Sequence, residues 1–171
     1  MNEGCRVAIC ARDAERLRAA VADLSQGKKD AIGDCVIGVP TDVTDEAAVR
    51  NFVGTAEETF GHIDILVNNA GTRGGDRPPP SLAEITDALF WDDMTVKAMG
   101  YLRCAREVAP YMQRQGWGRI INLGGLAARR TGSTITSIRN VGVVALAKSL
   151  ADELGPYGIN VTVVHPGTTR T

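Results

Sequence analysis

Short apolar runs alternate along the chain with longer stretches in which apolar residues recur every three or four positions. The runs span Cys5 to Cys10, Cys35 to Val39, the apolar part of His62 to Gly71, Arg119 to Leu123 and Ile159 to His165. Each has the length and branched-residue content of a buried strand. Between the first two, Asp13 precedes a stripe of Leu17, Ala20, Val21 and Leu24, which predicts a helix capped by the Asp13 carboxylate. Between the second and third, Thr44 is the expected cap of a helix with Asp45 and Glu46 in its first turn. Its apolar face is Val49, Phe52, Val53, Ala56 and Phe60, and Gly61 ends it. Strand and helix therefore alternate twice before residue 70, the pattern of βαβ units around a parallel sheet.

The stretch His62-Ile63-Asp64-Ile65-Leu66-Val67-Asn68-Asn69-Ala70-Gly71 organises the rest. Its branched residues stop abruptly at two amides and an Ala-Gly pair, so it reads as a buried parallel strand whose end opens into a site. An ordinary turn uses the same residues. Thr72 to Pro80 is too rich in glycine and proline for regular structure. It is not a phosphate-cradling loop, because three consecutive prolines do not start the long helix such a loop needs behind it. Ser81 is expected to cap a short helix to about Leu89, followed by a long helix from about Trp91 to Gln115. Gly116-Trp117-Gly118 breaks it, residues 126–133 read as loop, and Thr136 to Leu154 reads as a helix rich in small residues.

Bulk properties narrow the function. The 171 residues suit one domain with a sizeable core. A formal net charge of -1 gives no electrostatic reason to propose nucleic acid or an anionic membrane as partner. Cys5, Cys10, Cys35 and Cys104 form no C-x-x-C pair and read as reduced core thiols. No apolar run reaches membrane-spanning length and Met1 to Gly4 lacks the start of a signal peptide, so the expected location is the cytoplasm. His62 and His165 show no spacing that suggests a metal site and read as structural; Arg129 and Arg130 read as a solvated loop.

Five motifs occur in order on these elements: Asp42-Val43, Asn68-Asn69-Ala70-Gly71, Ile120-Ile121-Asn122, Lys148-Ser149-Leu150-Ala151, and Gly158-Ile159-Asn160-Val161 leading to Pro166-Gly167. With them the chain resembles the short-chain dehydrogenase/reductase family over nearly its whole length. The resemblance implies an α/β fold, a Rossmann-like doubly wound parallel sheet in three layers that binds a nicotinamide dinucleotide across the carboxyl ends of its strands. It places Asp42 and Val43 at the adenine, Asn69, Ala70 and Gly71 at the adenosine ribose, and Pro166, Gly167 and Thr171 beside the nicotinamide. Arg12 matches a position where a guanidinium favours a 2′-phosphate, while Ala11 stands where relatives preferring NAD carry an acid, so NADP is favoured over NAD. The ordinary reading of Arg12 is a solvated arginine at a helix start. The family also pairs its two long helices between subunits, which implies a homodimer or homotetramer through helices 91–115 and 136–154.

Two departures stand against these matches. The family opens with a strand and a T-G-x-x-x-G-x-G turn that seats the pyrophosphate on a helix N-terminus, and neither is found in these 171 residues. The expected architecture is thus a single incomplete Rossmann-like domain over residues 1–171, lacking the first strand and the glycine-rich turn and truncated at both ends. In addition, the family's Tyr-x-x-x-Lys falls on Thr136 and Asn140, its serine on Gly124 or Gly125, and its asparagine on Lys97. A tyrosine, with an ordinary pKa of about 10, exchanges protons when an adjacent ammonium lowers it; a threonine alcohol titrates far higher. Lys97 as a cation, Ser133 or Ser137 as orienting hydroxyls and Arg139 as a polariser of a carbonyl are the remaining candidates. The commoner outcome for such a lysine is solvation, and for Ser and Arg near a helix start, capping or exposure.

Two functions follow. One is an NADP-dependent oxidoreductase on a small carbonyl or hydroxyl compound, 3-oxoacyl reductase-like, with altered catalytic groups. The other is a non-catalytic relative that keeps the scaffold for dimerisation or ligand binding, or a fragment without function.

Overall fold

The computed structural model describes residues 4–25, 35–71 and 78–167, in two compact units divided between Ile63 and Asp64. Each unit is an α/β layer built on parallel strands.

In the first unit, β1 (Val7–Ala11) and β2 (Val36–Pro40) pair in parallel, with Val7 opposite Val36 and Ala11 opposite Pro40. Helix α1 (Ala14–Leu24) follows β1 and packs on β2. Asp13 caps it as the sequence predicts: Oδ1 accepts from the N–H groups of Glu15 at 3.0 Å and Arg16 at 3.1 Å. Those bonds hold the Asp13 carboxyl below its usual range. The approach of α1 to the strand needs the bare Cα of Gly38, where a Cβ would lie 2.7 Å from Val21 Cγ2. Helix α2 (Glu46–Phe60) starts one residue later than expected. Its cap is Asp45, which accepts from Ala47 and Ala48, whereas Thr44 turns back to give its N–H and hydroxyl to Asp42 Oδ1. A carboxylate at the cap outcompetes a hydroxyl because it adds charge at the positive end of the helix dipole. Gly61 ends α2 in the left-handed conformation, φ 75°.

In the second unit, β3 (Ile65–Asn68), β4 (Gly118–Leu123) and β5 (Ile159–Val164) form a parallel sheet in that order. The organising stretch is an outer strand rather than a fully buried one: Ile65 and Val67 are 52% and 53% exposed, and only its last residue, Asn68, is buried. The central strand is β4, whose Ile120 and Asn122 are wholly enclosed. Ser81 caps a single 3₁₀ turn, Leu82–Glu84, in a reciprocal bond with Glu84, and Thr86 caps the helix that follows. That helix, α3 (Asp87–Met94), runs through a π turn at Thr95–Met99 into α4 (Gly100–Gln115), so the long helix begins at Asp87 rather than at Trp91. Helix α5 (Thr134–Leu154) begins two residues before the expected Thr136, with Ser133 as its cap. Of the four free cysteines only Cys104 is fully buried, and Cys5 is exposed.

Candidate functional site

In a parallel sheet every strand ends on the same side, so the residues just past the strands gather there. In the second unit these are Asn69 to Gly71 after β3, Gly124 and Gly125 after β4, and His165 to Gly167 after β5. Asn69 and Gly71 are exposed, as are Pro166 and Gly167, and among the described residues no atom lies within 4 Å of a Cβ built on Gly71 or Gly167. In the first unit, Arg12 follows β1 and Asp42 and Val43 follow β2, again at one end of the strand pair. Arg12 is exposed, and one oxygen of Asp42 is already held by Thr44. Thr171 lies outside the described residues.

Below the strand ends of the second unit is a polar centre. Asn68 gives its amide N–H to Asn122 Oδ1 at 2.9 Å, tying β3 to β4 inside the core. Tyr101 donates its hydroxyl to the Leu123 carbonyl at 3.0 Å, and burial pushes that phenol well above its usual pKa.

Lys97 is the unexpected member. The lysine expected to be solvated is 7% exposed and donates to the Gly124 carbonyl at 3.1 Å, with the Tyr101 ring centre 5.9 Å from its Nζ. It sits in the π turn, whose extra residue re-aims side chains within a helix. Burial is the largest cause lowering its pKa to about 8; the Arg139 charge adds to it and Asp93 opposes it.

Arg139 is likewise buried rather than facing water. Its Nη1 meets Asp93 Oδ1 at 2.5 Å across α5 and α3. Asn140, in the lysine position of the resemblance, is 2% exposed, and its Oδ1 is buried without a hydrogen-bond partner among the described residues. It occupies the space beside Gly125: a Cβ there would lie 2.8 Å from Asn140 Nδ2. Thr136, in the tyrosine position, is used locally. Its N–H reaches Ser133 Oγ at 3.2 Å, and the Ser133 hydroxyl donates to Thr136 Oγ1 at 2.7 Å.

The structure thus brings Lys97 to Gly124 and Asn140 to Gly125, pairs Arg139 with Asp93 where its charge acts on Lys97, and leaves Thr136 in a helix cap. Sequence reasoning missed Asp93, Tyr101 and His165. Only the separation of Asp93 and Lys97 by one helical turn could have signalled the first.

A family model described as short chain dehydrogenase matches residues 1–171. Among similar proteins, the short-chain reductase protein NovJ of Streptomyces niveus is 36% identical over 99% of this chain and 62% of its own length. The (2S)-[(R)-hydroxy(phenyl)methyl]succinyl-CoA dehydrogenase subunit BbsD of Thauera aromatica is 37% identical over 99% and 65%. The chain therefore spans less than two thirds of the length of these relatives. The crystal structure of a short-chain dehydrogenase from Streptomyces avermitilis superposes with a TM-score of 0.85 at 28% identity, covering 99% of this chain and 59% of that one. NAD+-bound xylitol dehydrogenase gives 0.85 at 28%, covering 96% and 61%.

Proposed function

The chain belongs to the short-chain dehydrogenase family, and from that premise we propose a nicotinamide-dependent oxidoreductase acting on a small carbonyl or hydroxyl compound, with Lys97 taking over proton exchange from the family's tyrosine. The observation that carries this reading is the enclosed ammonium of Lys97 at the carboxyl end of β4, 3.1 Å from the Gly124 carbonyl.

Lys97 holds a proton that it gives to the substrate oxygen during carbonyl reduction and takes back during alcohol oxidation. With a pKa of about 8 both forms are populated near neutrality, as acid–base exchange requires. Arg139, anchored by Asp93, keeps a positive field over the site that stabilises a developing alkoxide. The nicotinamide, when bound, supplies or accepts the hydride.

The bare Cα atoms of Gly71 and Gly167 suit the close approach of a dinucleotide. The exposed Arg12, with Ala11 beside it instead of an acid, favours NADP, although one solved relative is named for bound NAD+. For the substrate we favour a 3-oxoacyl thioester or its 3-hydroxy form; the Thauera relative is named for a hydroxyl-bearing CoA thioester. A cytoplasmic homodimer completes the reading, paired through α4 and α5, where Ile138, Val141 and Val144 stand exposed on one side of α5.

One observation favours a second reading, a non-catalytic scaffold: the Thr136 hydroxyl is committed to Ser133 and Asn140 is neutral. Calorimetric titration with NADPH and NADH, followed by turnover of an acetoacetyl thioester read by nicotinamide absorbance, separates the two. Tighter NADPH binding with turnover that Lys97→Met abolishes supports the oxidoreductase. Binding without turnover selects the scaffold, and a folded chain that binds neither dinucleotide overturns the oxidoreductase and leaves the non-catalytic reading.

A further inference from the structure

His165, just past β5, stands against the same dipeptide that Lys97 uses. Its Nδ1 lies 3.1 Å from the Gly125 nitrogen and 3.0 Å from the Gly125 oxygen. A bare Nδ1 accepts from that N–H, and a protonated Nδ1 donates to that carbonyl, so either ring tautomer pins Gly125. The ring also fills the space that a side chain on Gly124 would need: a Cβ there would be 2.5 Å from Nδ1 and 2.6 Å from Cε1. Just before this point Gly124 donates its N–H to the Val164 carbonyl at 2.8 Å, the last backbone bond of the β4–β5 ladder. His165 continues that ladder by one side chain, beyond the end of the backbone pairing.

We propose that His165 is a positioning residue for Lys97, acting through Gly124 and Gly125: it holds the Gly124 carbonyl where the Lys97 ammonium meets it. Glycine at both positions is part of the device, since the ring needs the bare face of Gly124 and the Asn140 amide needs that of Gly125. This deepens the assignment of Lys97 as the proton-exchanging group and rests on it. Its test reads Lys97 directly and so gives an answer whether or not the chain turns over a substrate.

The groups facing Lys97 are Asp93 from α3, Tyr101 from α4 and Arg139 from α5, with the Gly124 carbonyl from the end of β4. In the full chain carrying isotope-labelled lysine, an NMR titration of the Lys97 side chain reads its midpoint. The midpoint expected for the wild-type chain is about 8, because burial and the Arg139 charge lower it from the ordinary lysine value.

Burial is the largest influence on Lys97. Releasing the dipeptide in His165→Ala admits water and raises the midpoint by about half a unit or more toward the ordinary lysine value. In His165→Asn a side-chain amide can still bond Gly125, and the midpoint stays at the wild-type position. Gly124→Ala, which drives the ring away from the other side, reproduces the alanine shift and serves as the second probe should His165→Ala fail to fold. A histidine that is merely structural would lower the melting temperature in these variants and leave the Lys97 midpoint in place; that result overturns the proposal. So does an equal shift in His165→Asn and His165→Ala.

Discussion

Arg139 on α5 and Asp93 on α3 meet at 2.5 Å, with side chains only 10% and 13% exposed. An ion pair so enclosed has given up most of its hydration, so its two halves depend on each other. Asp93→Asn strands the guanidinium in a poorly hydrated place and should destabilise the protein by about 3–5 kcal/mol, measured by urea unfolding. The same variant removes a charge that supports the Lys97 ammonium, so the Lys97 midpoint should fall below about 8. An Asp93→Asn protein within about 1 kcal/mol of wild type would show that the pair behaves like a solvated one.

Lys97 also sets a pH dependence of stability. Its pKa is lowered from 10.5 to about 8 on folding, so between those values the unfolded chain binds a proton that the folded chain does not. Stability therefore rises with pH across that window, by at most about 3 kcal/mol. Tyr101 opposes it at the upper end. Its raised pKa keeps the phenol protonated in the folded state while the unfolded one ionises, which lowers stability as pH climbs past about 10. Urea midpoints should climb from pH 8 and turn down near pH 10, and the climb should vanish in Lys97→Met.

Turnover in the reduction direction should follow the protonated form of Lys97, falling as pH rises through about 8, while alcohol oxidation rises over the same interval. Parallel pH profiles in the two directions would remove Lys97 from the proton-exchanging role.

Replacing Gly125 by the family's serine is not a simple restoration. The new Cβ would lie 2.8 Å from Asn140 Nδ2, so the buried amide must shift. Gly125→Ser should cost about 1–3 kcal/mol and add no turnover. Combining it with Asn140→Ala should recover part of that loss. Thermal melting of the single and double variants checks the coupling.

At the start of α5, Ser133→Ala removes the side chain that accepts from the Thr136 N–H and should cost about 1 kcal/mol. Thr136→Ala should leave turnover within about twofold of wild type, because the hydroxyl serves the cap and not the chemistry. A loss of tenfold or more would return Thr136 to the active site.

The sequence by itself determined the alternation of strands and helices, the family, the cap at Asp13 and the stop at Gly61. All of these depend on neighbours within a few positions: apolar periodicity, a carboxylate ahead of free N–H groups, a residue tolerant of positive φ. It also located Lys97 and Asn140 by position in the family pattern and Arg139 beside them, while the ordinary reading was solvation for the lysine and capping or exposure for the arginine. Tertiary structure alone decided their environment. Arg139 is buried because Asp93, 46 residues away, reaches it, and Lys97 is enclosed because a π turn aims it at a carbonyl 27 residues on. His165 gained its place when β5 paired with β4. A charged side chain leaves water only when a partner awaits it, and which partner awaits is fixed by strand register and helix packing, which one-dimensional spacing does not contain.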